Sequence, residues 1–209
     1  MKKLIKEFLG FVLVKWFFLT GKKPDQVLSI TFHYPSVTMF GHVLNWLSRL
    51  NYRIISLAEL ETVLDQATLQ GNVAFITIDD AWQTNLQLLP LLESHKAPIA
   101  IFVPTEPVES GNYWWEFAKM QGQEAISGIA DVQGFKDLPE ETRRQKIEEL
   151  RLNTVLNRSC MNRAELVELS KNPWVTIGSH TITHPILKNC SSMQQEEEVR
   201  GSRRILENW

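Results

Sequence analysis

Residues 73–78, Val-Ala-Phe-Ile-Thr-Ile, make an almost unbroken apolar run between Gly71 and the carboxylates Asp79-Asp80. Six consecutive positions without a wet face need cover on both sides, the condition of a strand inside a parallel sheet sandwiched between layers. Similar runs occur at residues 27–32, ending at His33-Tyr34-Pro35, at residues 53–55, at residues 99–103 closed by Pro104, and at residues 174–177 leading into Gly178-Ser179. Helical patterns lie between them. Phe40, Val43, Leu44, Leu47 and Leu50 recur at helical spacing until Asn51-Tyr52. Ser56 and Glu59 form a capping box that opens a helix with a predicted buried stripe of Leu57, Leu60, Val63 and Leu64. Leu86, Leu89 and Leu92 mark another helix, with Pro90 either kinking it or standing in its first turn. Strands alternating with helices through short connections imply an α/β fold with a mainly parallel sheet or barrel, whose ligand sites lie where strands end. Residues 105–173 interrupt the alternation as a long insertion, with Tyr113-Trp114-Trp115 and a polar helix predicted from about Glu140 to Asn157. Ser192 and Gln195 are expected to cap the last helix.

The chain has 209 residues, 44% hydrophobic and 22% charged, which fits one globular domain and excludes disorder and a multi-span membrane protein. With 22 basic against 24 acidic residues it has no overall basic field to hold nucleic acid. The charge is uneven, because residues 1–23 carry six lysines and one acidic residue, Glu7, beside the apolar run of residues 8–19. Lys15 interrupts that run and no small-residue cleavage site follows, so a cleavable signal peptide is not supported. The run is also shorter than the ~20 residues that span a bilayer. Two readings remain for residues 1–24: a basic apolar helix lying on an anionic membrane surface, or a terminal helix packed on the domain formed by residues 25–209. Cys160 and Cys190 have neither metal-pair spacing nor the density of a disulfide-stapled domain.

Chemistry concentrates at two strand ends. Asp79-Asp80 follows the most secure strand, and adjacent carboxylates repel unless a proton or cation relieves them, although a helix cap beside a solvated side chain is the bland alternative. His180-Thr181-Ile182-Thr183-His184-Pro185 follows the last strand, with two imidazoles four residues apart. Thr181 stands where a zincin helix has its glutamate, and Pro185 draws His184 away from helical geometry, so this motif belongs to a loop. Two histidines and a carboxylate match an open Zn²⁺ site, and Co, Ni, Fe or Mn suit the same donors. His33 either lines the same rim or is a hydrogen-bonded structural residue, and His42 and His95 read as scaffold. Trp114 and Trp115 either stack on a sugar face or fill core. Glu196-Glu197-Glu198 reads as a solvated helix face.

Ile76-Thr77-Ile78-Asp79-Asp80 followed by Ser179-His180-Thr181-Ile182-Thr183-His184-Pro185 resembles the first two motifs of the polysaccharide deacetylases, the fourth carbohydrate esterase family or NodB-homology fold. Thr31-Phe32-His33, residues 44–60, Ile101-Phe102-Val103-Pro104-Thr105 and Trp114-Trp115 extend the likeness toward its bacterial cell-surface glycan branch. The resemblance implies a distorted parallel (β/α) barrel and a hydrolase that removes N-acetyl groups from a cell-envelope polysaccharide or its lipid-linked precursor. It makes Asp80, His180 and His184 the ligands of a divalent metal and Asp79 the general base on the attacking water. A bacterial location in the cytoplasm or at the membrane surface would follow. Hydrolysis of another C–N bond, or a glycan-binding pseudoenzyme, are the alternatives. Ile78, Ala81 and Trp82 depart from the family's Thr-Phe-Asp-Asp-Gly-Tyr pattern, and Ala in place of Gly predicts a different turn after Asp80. Only five strands are legible before Trp209, against roughly eight in a closed parallel barrel. The family's later motifs, which bring an arginine that orients the base and a histidine general acid, have no counterpart among these residues. The expectation is therefore a truncated barrel that binds metal weakly and turns over slowly.

Overall fold

The computed structural model describes residues 27–66, 71–121 and 132–209. Five strands form one wholly parallel sheet: β1 (Val27–Phe32), β2 (Arg53–Ile54), β3 (Val73–Asp79), β4 (Ile99–Val103) and β5 (Val175–Ser179). The order is β1-β3-β4-β5, with the short β2 against the first two residues of β3. Helices α1 (Val37–Arg49), α2 (Leu57–Gln66) and α3 (Leu89–His95) fill the connections up to β4. The segment from β4 to β5 carries α4 (Thr105–Ser110), α5 (Trp114–Gln121), α6 (Val132–Lys136), α7 (Glu140–Asn153) and α8 (Arg163–Leu169), and α9 (Ser192–Glu207) follows β5. Among the described residues the sheet is open and does not close into a barrel. The N-terminal helix expected over residues 1–24 lies outside the described residues.

Two-sided burial explains the apolar run of β3. Ala74, Ile76 and Ile78 pack in a large core with Phe40, Leu44 and Leu47 of α1 and Leu92 of α3, while Val73 and Phe75 face a smaller cluster with Ile55 and Ala100. Asn51 ends the α1 unit in the left-handed region (φ 56°), which asparagine tolerates better than most residues. Pro90 stands in the first turn of α3, where its missing N–H leaves no helical hydrogen bond unmade.

Three local expectations are corrected. The Ser56–Glu59 capping box forms, but Leu64 is 68% exposed and α2 has no fully buried residue. Leu57 and Leu60 touch the smaller cluster and Val63 is half-buried, so the stripe is only partly covered. The cap of α9 is Ser191 with Gln194 instead of Ser192 with Gln195. Ser191 has extended backbone and accepts from the Gln194 amide, whereas Gln195 donates to the Leu187 and Cys190 carbonyls. The polar helix α7 stops at Asn153, where Thr154 turns extended (φ −131°, ψ 123°).

Candidate metal centre

Asp80 leaves the end of β3 into a backbone turn with two successive left-handed residues, Asp80 (φ 76°) and Ala81 (φ 56°). The turn expected to change because Ala81 replaces glycine is thus left-handed at Ala81 after all. Its hydrogen bonds account for that. The Asp80 amide donates to the Phe102 carbonyl at 2.9 Å, the buried Tyr113 hydroxyl donates to the Asp80 carbonyl at 2.6 Å, and the Met161 amide donates to the Ala81 carbonyl at 3.0 Å. The buried Cys160 thiol also points at the Ala81 carbonyl, at 3.5 Å, and burial pushes that thiol up to about 12. These partners, on β4 and in the 105–173 segment, outweigh the ~1–2 kcal/mol that an L-residue loses in this region.

The turn presents the Asp80 carboxylate, 3% exposed, to both histidines that follow β5. Its Oδ1 lies 3.2 Å from His184 Nε2 and 3.6 Å from His180 Nε2, and Oδ2 accepts from the Trp82 indole N–H at 3.2 Å. One ligand atom from each of Asp80, His180 and His184 falls within 4.8 Å of the others. Asp80 Oδ1 is buried and makes no hydrogen bond, a costly state for a carboxylate oxygen unless a cation occupies the space between it and the imidazole nitrogens. The donor set fits a divalent ion of the zinc type. Burial raises the Asp80 carboxyl, but His184, His180 and the Trp82 N–H outweigh it and hold the group below its ordinary value. Burial and the neighbouring His184 lower His180 against the pull of Asp79 and Asp80. Both directions favour the forms that bind metal, an ionised carboxylate and a neutral imidazole.

Asp79, the last residue of β3, is half-buried, and its carboxylate makes no hydrogen bond to other described residues. His33 is exposed one residue beyond the Phe32–Ile78 pair, its carbonyl held by the Asn85 side chain at 3.0 Å. Trp115 meets His184 edge-on at 4.8 Å and stacks on Tyr113 at 4.6 Å. Trp114 is only 6% exposed, with Arg143 over its ring at 4.6 Å, and its indole N–H donates to the His184 carbonyl at 2.9 Å. The two tryptophans thus differ: Trp115 borders the centre and Trp114 braces it from behind. His42 lies within α1 and His95 ends α3.

Four residues near the centre were given no role there by the sequence: Trp82, Tyr113, Cys160 and Glu198. Glu198 corrects the expectation of a solvated 196–198 face. It is 7% exposed and accepts from the amides of Ile182 and Thr183 and from the Thr183 hydroxyl. Only its neighbours Glu196 and Glu197 are exposed.

A sequence profile of the family described as Polysaccharide deacetylase matches residues 66–209. The chain belongs to that family. It is thereby related to hydrolases acting on non-peptide C–N bonds. No curated protein sequence matches it significantly. Among solved structures, the Streptococcus pyogenes deacetylase PplD in complex with acetate is 16% identical, with 87% of this chain and 67% of that chain covered at a TM-score of 0.51. A polysaccharide deacetylase from Bacillus cereus is 16% identical over 87% of this chain and 46% of its own, at a TM-score of 0.54. The BpsB deacetylase domain from Bordetella bronchiseptica is 13% identical over 90% of this chain and 78% of its own, also at 0.54. At these identities the likeness shows a shared deacetylase fold. The chain spans less than half of the Bacillus protein's length.

Proposed function

We propose that this deacetylase-family chain hydrolyses the N-acetyl groups of a glycan, with Asp80, His180 and His184 holding a divalent cation and Asp79 acting as general base. The observation that carries this reading is the buried Asp80 Oδ1, which has no hydrogen bond and faces two imidazole nitrogens at 3.2 and 3.6 Å. A divalent cation held there would polarise the acetyl carbonyl and make water a better nucleophile at neutral pH. The residues supply the rest. Asp80, held by Trp82 and Tyr113, offers an ionised oxygen in a dry turn, and the lowered His180 keeps its nitrogen lone pair free. Asp79 lies outside the ligand set with a free carboxylate, so it can take the proton of the attacking water as the new C–O bond forms. The C–N bond breaks, the proton taken by Asp79 passes to the leaving nitrogen, and the products are acetate and an amine. Trp115 contacts the sugar in this reading, supported by its edge-on contact with His184.

Residues 1–23 add a proposed attachment to an anionic membrane surface, supported by their six lysines beside an apolar aromatic run. The test of function is acetate release from an array of acetylated glycans by the Zn²⁺-loaded chain, with Asp79→Asn as control. Acetate from at least one glycan, lost in Asp79→Asn, is expected. Metal binding without turnover on any glycan would favour a glycan-binding role, and acetate-free cleavage of a small amide would favour another C–N hydrolase.

A further inference from the structure

Helix α9 turns an unusual face inward. Its buried residues are Glu198, Gly201 and Ser202, spaced i, i+3 and i+4, so one side of the helix is carboxylate, backbone and hydroxyl instead of an apolar stripe. All three meet the segment that carries the histidines. Glu198 Oε2 accepts from the Ile182 amide at 2.7 Å and the Thr183 amide at 2.9 Å, and Oε1 accepts from the Thr183 hydroxyl at 2.7 Å. A side chain added at Gly201 would come within 2.7 Å of Ile182 Cδ1. The hydroxyls of Ser202 and Ser179 are hydrogen-bonded at 2.5 Å.

The opposite edge of the same loop is also held. Thr105 and Glu106, at the start of α4, donate amides to the Thr181 and Ile182 carbonyls, and the His180 amide donates to the Val103 carbonyl. Between these grips Thr181 (φ 71°) and His184 (φ 54°) sit in the left-handed region, which neither residue adopts cheaply. A loop with two such residues and no helical hydrogen bonds does not keep this path by itself. The Ile182 and Thr183 amides, two of the three between the histidines, would be unpaired without an acceptor, and Glu198 is the acceptor for both.

We infer that Glu198 is a positioning residue whose carboxylate fixes the loop backbone between His180 and His184, so that both imidazole nitrogens aim at one cation. This rests on the reading of those histidines as ligands. It predicts that Glu198 sets metal affinity without touching the metal.

The test is titration of the metal-free full chain with Zn²⁺, together with the visible spectrum of the Co²⁺-loaded protein and the thermal midpoint of the metal-free form. Glu198→Ala is expected to weaken Zn²⁺ binding at least tenfold and to change the Co²⁺ bands at saturation. Glu198→Gln keeps an acceptor for the two amides and should restore most of the affinity. A merely structural role would lower the metal-free midpoint while leaving affinity and spectrum as in wild type, and that result overturns the inference. If Glu198→Ala does not fold, Thr183→Val decides: severalfold weaker binding supports the inference and wild-type affinity overturns it. His180→Ala separates the two levels of argument. Wild-type affinity in His180→Ala sinks the ligand reading, whereas its loss together with unchanged binding in Glu198→Ala sinks only the role of Glu198.

Discussion

Ala81 is a fully buried L-residue at φ 56°, and its two energetic terms oppose each other. Replacing it with glycine removes about 1–2 kcal/mol of left-handed strain, but loses ~0.8 kcal/mol of methyl burial and lets the unfolded chain gain ~0.4–1 kcal/mol of entropy. Ala81→Gly is therefore expected within ~1 kcal/mol of wild type by urea unfolding, and a loss beyond ~2 kcal/mol would contradict the left-handed turn. The neighbouring aspartates are expected to separate by readout. Asp79→Asn should keep bound metal by elemental analysis and lose turnover by roughly 10²-fold or more, while Asp80→Asn should lose the metal itself. Metal loss in both would merge their roles. The acid response follows from His180 and Asp80. Both have folded values below their ordinary ones, so the unfolded chain binds protons first as pH falls. The metal-free protein should thus lose stability below the usual imidazole value of ~6.5 and again below the usual carboxyl value of ~4, and His180→Ala should remove the first step. A flat thermal midpoint between pH 7 and pH 5 in the wild type would contradict this.

At the scale of elements, the centre depends on how closely β4 and β5 approach. Gly178 pairs with Phe102, and a Cβ at Gly178 would lie 2.7 Å from two atoms of the Phe102 ring. Gly178→Ala must push the ring or the strand aside just before Ser179 and His180. A cost of about 1–3 kcal/mol is expected, with weaker metal binding, and the double variant Gly178→Ala, Phe102→Ala should regain part of the affinity. Unchanged Zn²⁺ affinity in Gly178→Ala would show that β5 does not transmit the strain to the loop. The buried face of α9 shows why an element's sequence pattern can mislead. Glu-Glu-Glu has the composition of a solvated helix, and no apolar periodicity reveals that Glu198 points inward, since what it meets is two amides contributed by a distant loop. A visible hint was its spacing of three and four residues from the small residues Gly201 and Ser202.

Across the whole molecule, described residues of the 105–173 segment hold the centre, Tyr113 and Met161 at the Asp80-Ala81 turn and Trp114 at the His184 carbonyl. Its buried pair Glu140–Arg143, at 2.5 Å, lies behind Trp114, which donates to the His184 carbonyl. Burial holds the Glu140 carboxyl above its ordinary value against the pull of Arg143. Arg143→Met should cost about 3–5 kcal/mol at pH 7 by leaving that carboxylate unpaired, and less at pH 5, because the carboxyl that burial already raises takes up a proton more readily without its cation. An equal cost at both pH values would mean that the pair contributes packing alone. Residues 1–23 make a separate prediction from charge: binding to anionic liposomes that falls as salt rises, with no co-sedimentation at any ionic strength as the contrary result. The apolar runs, the breaks at Pro35 and Asn51, and the strand-end motifs Asp79-Asp80 and His180 to His184 were legible in the sequence, because two-sided burial and local turn chemistry act over a few neighbouring residues. The sequence by itself thus determined the parallel α/β class, the family resemblance and the side chains available for a metal. Only the tertiary structure decided that Ala81 takes a glycine-like turn, that Trp114 and Glu198 brace the histidine loop, and that Asp80 Oδ1 faces both imidazoles. Each of these depends on partners at least 15 residues away, whose hydrogen bonds and packing override the local preference of the residue they hold.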